Sequence, residues 1–129
     1  MYRILAIDDD AICRKICSKT LAPEGFEVLL AADATEGLRS CSHGKPDLVL
    51  LDVNLPDGNG IDVCRRIKAD ERLRHIPVLL MTGEAVAVEN CVEGIEAGAE
   101  DYIRKPFGPA ELVSRIKGVL KASVKQRAS

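Results

Sequence analysis

Five short apolar runs, each followed by a helical pattern, leave this chain few folds to choose from. The runs are Arg3–Ile7, Phe26–Ala31, Leu48–Asp52, Pro77–Met81 and Asp101–Ile103. Leu48-Val49-Leu50-Leu51 is apolar at four successive positions. Such a run marks a strand covered on both faces, as in the interior of a parallel sheet. Strict strand–helix alternation with short links implies one parallel sheet, right-handed crossovers and helices on both faces. The order expected of a five-stranded doubly wound α/β sheet with five helices is 2-1-3-4-5. At 129 residues the chain suffices for one domain with a real core and is too short for two.

The helices carry their own punctuation. Asp10 is placed as N-cap of the first, whose i, i+4 rows are Ile12, Ile16, Thr20 and Cys13, Cys17, Leu21. Asp33 followed by Glu36 reads as a capping-box-like start of the second, which buries Leu38 and Cys41 and ends near Gly44. Val53-Asn54-Leu55-Pro56-Asp57-Gly58-Asn59-Gly60 is a loop dense in turn residues. It leads into a third helix with Ile61, Cys64 and Ile67 on one face. A fourth carries Val88, Val92 and Ile95 and closes at Ala97-Gly98. Pro109 opens the last, which buries Leu112, Ile116 and Leu120. The domain is expected over residues 1–121. Residues 122–129 read as a basic tail or linker stub, since no acid follows Glu111.

Composition excludes several classes of function. A net charge of −2 offers no strong field to nucleic acid or an anionic membrane. Aromatics at 3%, with no Trp, argue against base-stacking platforms. No apolar run approaches a membrane span, and Met1-Tyr2-Arg3 begins a strand rather than a signal peptide. The five cysteines form no Cys-x-x-Cys; they read as small buried hydrophobes in a reducing, cytoplasmic setting.

The strands end on chemistry. Asp8 and Asp9 follow the first, Asp52 ends the third, Thr82 follows the fourth and Lys105 follows the fifth. In the 2-1-3-4-5 order, strands one and three are neighbours at the switch point, so the two acid groups meet there. Three carboxylates in one crevice repel unless a cation neutralises them, and Mg²⁺ suits carboxylate oxygens completed by water and phosphate. Lys105 adds a positive charge and Thr82 a hydroxyl. Together these are the parts of an in-line phosphoryl transfer, in which a carboxylate can itself be the nucleophile.

Set out along the chain, the motifs are Ile7-Asp8-Asp9, Leu51-Asp52-Val53-Asn54-Leu55-Pro56 with Gly58 and Gly60, Met81-Thr82-Gly83, Gly94 through Gly98-Ala99, and Tyr102-Ile103-Arg104-Lys105-Pro106-Phe107. As a set they make residues 2–121 resemble a receiver domain of the two-component response regulators, whose fold is flavodoxin-like. The resemblance implies that Asp52 is the phosphoacceptor. It implies that Asp9, Asp52 and the Asn54 backbone carbonyl hold Mg²⁺, with Asp8 reaching it through water. Thr82 and Lys105 would grip the phosphoryl oxygens, and the Lys105–Pro106 bond would be cis. Asn54 and Glu84 sit where the family tunes dephosphorylation.

The resemblance further implies a switch in which Thr82 moves inward and Tyr102 rotates, altering the surface of the fourth helix, fifth strand and fifth helix. The implied partners are a sensor histidine kinase or histidine phosphotransfer protein and a downstream output domain or protein, with a phosphorylation-dependent homodimer compatible. Direct nucleic-acid or membrane binding by this domain is not expected, nor is turnover of a separate substrate. An FMN flavodoxin shares the fold, but Asp8-Asp9-Asp10 would repel its phosphate. A haloacid-dehalogenase-like phosphatase needs a second acid where Asn54 stands. The remaining alternative is the same receiver excised from a hybrid kinase, diguanylate cyclase or DNA-binding regulator.

Overall fold

The computed structural model describes the backbone of residues 1–83 and 88–128 and the side chains of residues 1–83 and 92–123. Strands β1 (Arg3–Ile7), β2 (Glu27–Ala31), β3 (Leu48–Asp52), β6 (Val78–Thr82) and β7 (Asp101–Arg104) form one parallel sheet in the order β2-β1-β3-β6-β7. That is the expected doubly wound order. The helices are α1 (Ala11–Leu21), α2 (Ala34–Gly44), α3 (Gly60–Ala69), α4 (Val88–Glu96) and α5 (Pro109–Ala128). Strands β4 (Asn54–Leu55) and β5 (Gly58–Asn59) make a small antiparallel hairpin within the loop after β3.

Every residue of β3 and β6 is buried, whereas the edge strand β2 is exposed at Glu27 and Leu30. Helices on both faces explain the continuous apolar runs. The two-residue period of a strand then divides the core in two. Leu5, Ile7, Val49, Leu51, Val78 and Leu80 pack with Cys41, Ile61, Cys64 and Ile67 of α2 and α3. Ile4, Ala6, Leu48, Leu50, Leu79 and Met81 pack with Cys17, Leu21, Leu112, Ile116 and Leu120 of α1 and α5.

The expected caps are present. Asp10 accepts from the Ile12 amide (2.9 Å), and Asp33 from the Glu36 amide (2.8 Å). Glu36 answers by accepting from the Ala32 amide (3.1 Å), one residue earlier than a strict capping box. Gly98, at φ 104, closes α4, with Gly98 N–H to Ile95 O and Ala99 N–H to Gly94 O, the pairing of a Schellman motif.

Some expectations need correction. Phe26 belongs to the turn out of α1, because its amide bonds back to the Leu21 carbonyl (3.3 Å); the β2 ladder starts when Glu27 donates to Tyr2. Ile12 and Ile16 are 70% and 46% exposed, since α1 buries the narrow row Cys13, Cys17, Leu21 and the isoleucines fall beside it. Leu38 is half-buried; the seated line of α2 is Ala34, Gly37 and Cys41. Val92 and Ile95 are likewise about half exposed, and Val88's side chain lies outside the described residues. Apart from these corrections, helix α5 runs from Pro109 to Ala128.

Gly60 begins α3 directly against β3. A Cβ there would overlap the Asp52 carbonyl oxygen, a backbone atom that cannot swing aside. Gly60→Ala is expected to cost about 2 kcal/mol through overpacking. Gly118→Ala, on the exposed face of α5 with open space around it, should be neutral or gain up to ~1 kcal/mol from helix propensity. Urea unfolding midpoints of the two variants measure the contrast.

Candidate functional site

Adjacent parallel strands bring their carboxyl ends together. Ile7 of β1 stands opposite Leu51 of β3, so the next residues, Asp8 and Asp52, meet at the mouth of the sheet. Asp8 is fully buried, Asp52 is 7% exposed, and Asp9 is exposed at the rim. One carboxylate oxygen from each of the three lies within 4.8 Å of the others. Lys105 arrives from the far side, where its amide extends the β6–β7 pairing by donating to the Thr82 carbonyl (2.7 Å). Its Nζ donates to Asp8 Oδ2 at 2.6 Å and to Asp52 Oδ2 at 2.7 Å. The Lys105–Pro106 bond is cis.

Each buried carboxylate has a second donor. Asp8 Oδ1 accepts from the Asp10 amide (3.0 Å), and Asp52 Oδ1 from the Asn54 amide (2.8 Å). A carboxylate offers about four lone-pair positions, so acceptor capacity remains on both. Three carboxylates against one ammonium also leave net negative charge. Both features fit a hard divalent cation with oxygen ligands.

Burial is the largest influence on both acids, and it resolves differently at each. Burial pushes the Asp52 carboxyl up, assisted by the charge of Asp8, and Lys105 and the Asn54 amide offset this only in part. At Asp8 burial is outweighed by the Cys13 thiol, Lys105 and the Asp10 amide, which hold the carboxyl below its usual range. Burial would lower Lys105, but Asp52 and Asp8 raise it above an ordinary lysine, so it stays charged.

Thr82 is buried at the end of β6, and its hydroxyl donates to the Ile103 carbonyl at 3.5 Å. Tyr102 is half-buried against the α2–α3 side of the core. Asn54 is exposed at the start of β4, and Glu84 lies outside the described residues. The buried thiols of Cys41 and Cys64 are pushed up by burial, to about 12 and about 11, which suits packing rather than reactivity.

Two side-chain contacts, one on the site and one beside it, had no sequence signal. Arg14 donates to the Asp8 carbonyl (2.7 Å) from the first turn of α1. Asp57, in the loop after β3, bonds the start of α2, 23 residues earlier in the chain. Only the fold brings Asp57 to its partner.

The family model for the response regulator receiver domain matches residues 4–117. The chain is 44% identical over 119 residues to the DNA-binding response regulator MtrA of Mycolicibacterium paratuberculosis, covering 92% of this chain and 51% of that protein. It is 40% identical over 119 residues to the phosphate regulon transcriptional regulatory protein PhoB of Escherichia coli, covering 92% and 52%. The chain thus spans about half the length of the curated relatives it matches. Among solved structures it is similar to a CheY-like response regulator receiver domain protein from Methanospirillum hungatei, with TM-score 0.91 and 33% identity, covering 98% of each chain.

A carboxyl whose pKa is raised by folding binds its proton more readily in the folded state, so its ionised form weakens the fold at neutral pH. Asp52→Asn should therefore raise stability at neutral pH without divalent cations. The gain should shrink as pH falls into the carboxyl range, where Asp52 itself is protonated. Asp8 carries the opposite sign: its lowered pKa lends stability above the ordinary carboxyl range, lost as pH falls. Urea titrations in chelator across that range read both effects. A gain from Asp52→Asn that persists unchanged in acid would contradict the electrostatic origin.

Proposed function

The chain belongs to the response regulator receiver domain family, and from that premise we propose that Asp52 accepts a phosphoryl group from a phosphohistidine. The observation that carries this reading is Lys105 Nζ, held 2.6 and 2.7 Å from two buried carboxylates at the ends of neighbouring strands. A carboxylate oxygen of Asp52 forms the new bond to phosphorus as the bond to the donor imidazole nitrogen breaks. The ammonium of Lys105 offsets charge on the phosphoryl oxygens, and the Thr82 hydroxyl supplies a hydrogen-bond donor. Mg²⁺, held by Asp9, Asp52 and the Asn54 carbonyl with Asp8 through water, would supply further charge neutralisation at those oxygens. The chemistry falls on the chain's own aspartate rather than on a released product. Asn54 and Glu84 are the residues we assign to tuning its hydrolysis.

The added charge and acceptor oxygens draw the Thr82 hydroxyl away from Ile103. Tyr102, two residues before Arg104, which pairs with Thr82 across β6 and β7, then repacks. The outcome is a population shift of the α4–β7–α5 surface between two packings. A sensor histidine kinase or histidine phosphotransfer protein is the donor in this reading, and an output domain or protein is the target. Val92 and Ile95 leave apolar surface on α4 that suits such a contact, including one between two copies of this chain. The name of MtrA describes a DNA-binding response regulator and that of PhoB a transcriptional regulatory protein; a receiver excised from a longer regulator of that kind is compatible with the half-length match. No helix among the described residues is long and apolar enough to cross a membrane. The four thiols among the described residues are free and buried, which suits a reducing cytoplasm.

Incubation with Mg²⁺ and a small acyl phosphate should add one phosphoryl mass to the protein. Asp52→Asn should abolish the addition, and Lys105→Ala should slow it by about tenfold or more. Intact-protein mass spectrometry over time measures both. A wild-type chain that never gains the mass, or an Asp52→Asn chain that gains it equally, would sink the assignment.

A further inference from the structure

The loop after β3 is tied down at three levels. At its base the Gly60 amide donates to the Val53 carbonyl (2.7 Å). Along its stem β4 and β5 pair Asn54 with Asn59 and Leu55 with Gly58. At its tip Asp57 reaches out of the loop altogether. Its Oδ1 accepts from the Ala34 amide (2.8 Å), and its Oδ2 from the Thr35 amide (3.1 Å) and the Thr35 hydroxyl (2.8 Å). The first amides of a helix have no partner within it, and the positive end of the helix dipole favours an anion there. Asp33, the cap read from sequence, takes only the Glu36 amide. A distant carboxylate therefore completes the start of α2. These bonds, the Ala34 amide first, hold the Asp57 carboxyl below its usual range.

The consequence lies at the other end of the hairpin. Asn54 begins it, and the Asn54 amide fixes Asp52 Oδ1. Helix α2, for its part, is seated tightly on β1: a Cβ on Gly37 would strike the side chain of Ile7, the residue before Asp8. Asp57 thus joins the half of the crevice bearing Asp52 and Asn54 to the half bearing Asp8 and Asp9, by a path outside the sheet.

We propose that Asp57 is a positioning residue for the acidic crevice, its carboxylate clamping the Asn54–Asn59 hairpin onto α2 and so fixing Asn54 relative to Asp8 and Asp9. It touches no reacting atom, and it rests on the cation site described above. Without metal, Asp57→Ala should speed hydrogen exchange of the Asn54 and Gly60 amides. Mg²⁺ alone, followed through the NMR shift of the Asn54 amide, should bind about tenfold more weakly, as when a ligand's supporting partner is lost. Asp57→Asn, which keeps one acceptor oxygen, should recover part of the affinity, and Thr35→Ala should lose less than Asp57→Ala.

Asp33→Ala is the control. It removes a cap from the same helix but leaves the hairpin alone, so Mg²⁺ affinity should change by less than about twofold. Equal weakening in Asp33→Ala and Asp57→Ala would reduce the clamp to helix stability and overturn the proposal. So would unchanged Asn54 exchange and unchanged Mg²⁺ binding in Asp57→Ala. Phosphoryl labelling plays no part in this comparison. A chain that binds Mg²⁺ in this pattern yet never labels would sink the phosphoacceptor reading and leave the clamp standing.

Discussion

Lys105 is the counter-charge that lets this sheet end on acids. Asp8 and Asp52 are both buried at neighbouring strand ends, and buried like charges cannot both ionise without compensation. One ammonium bonded to both supplies part of it. The opposite directions of the two carboxyls show how partial it is: Asp8, with the Cys13 thiol, Lys105 and the Asp10 amide around it, is settled as an anion, while Asp52 is held above its usual range. The residue less well compensated is also the slightly more accessible of the two. A group that brings positive charge to Asp52 is favoured there for the same reason.

The two-residue period of the strands distributes the remaining parts. Along β3, Leu48 and Leu50 face α1 and α5, and Asp52 continues that set. Ile4 and Ala6 lead to Asp8 on the same side, and Ile103 leads to Lys105. Thr82 continues Val78 and Leu80, which face α2 and α3, and Tyr102 packs with that opposite set. The acids and their lysine thus belong to one layer of the core, and the hydroxyl and aromatic to the other. The two layers meet at the short ends of β6 and β7, where Lys105 bonds the Thr82 backbone and Thr82 bonds the Ile103 backbone.

Much of this was legible in the sequence because its causes are local. Continuous apolar runs reveal doubly covered strands, Asp10 and Asp33 announce helix starts, and Gly98 marks a helix end. Strand alternation and the switch-point rule then place Asp8, Asp9, Asp52 and Lys105 at one edge. Features with non-local causes were not legible. Whether the row Ile12–Ile16 or the row Cys13–Cys17 faces inward depends on how α1 rolls against the sheet, not on either row's apolarity. The hairpin inside the β3–α3 loop contains Pro56 and Asp57 and looks like plain turn chemistry. Asp57 finds its partners across the fold and obeys no spacing rule, while Arg14 folds back onto the Asp8 carbonyl at the turn from β1 into α1.

The contrast between Asp33 and Asp57 shows why such residues matter to function. Both are aspartates at the start of α2, and both bond its free amides. Asp33 belongs to the chain that enters the helix, so its bonds stabilise only what is adjacent. Asp57 belongs to the loop that leaves Asp52, so the same kind of bond spans two segments that each carry part of the crevice. Hydrogen bonds of similar length and chemistry therefore do different things according to what the covalent chain already connects. In a site assembled from four strand ends, the contacts that set its geometry are those that link ends the backbone leaves independent. Lys105 does this from within the crevice by charge, and Asp57 does it from outside by capping.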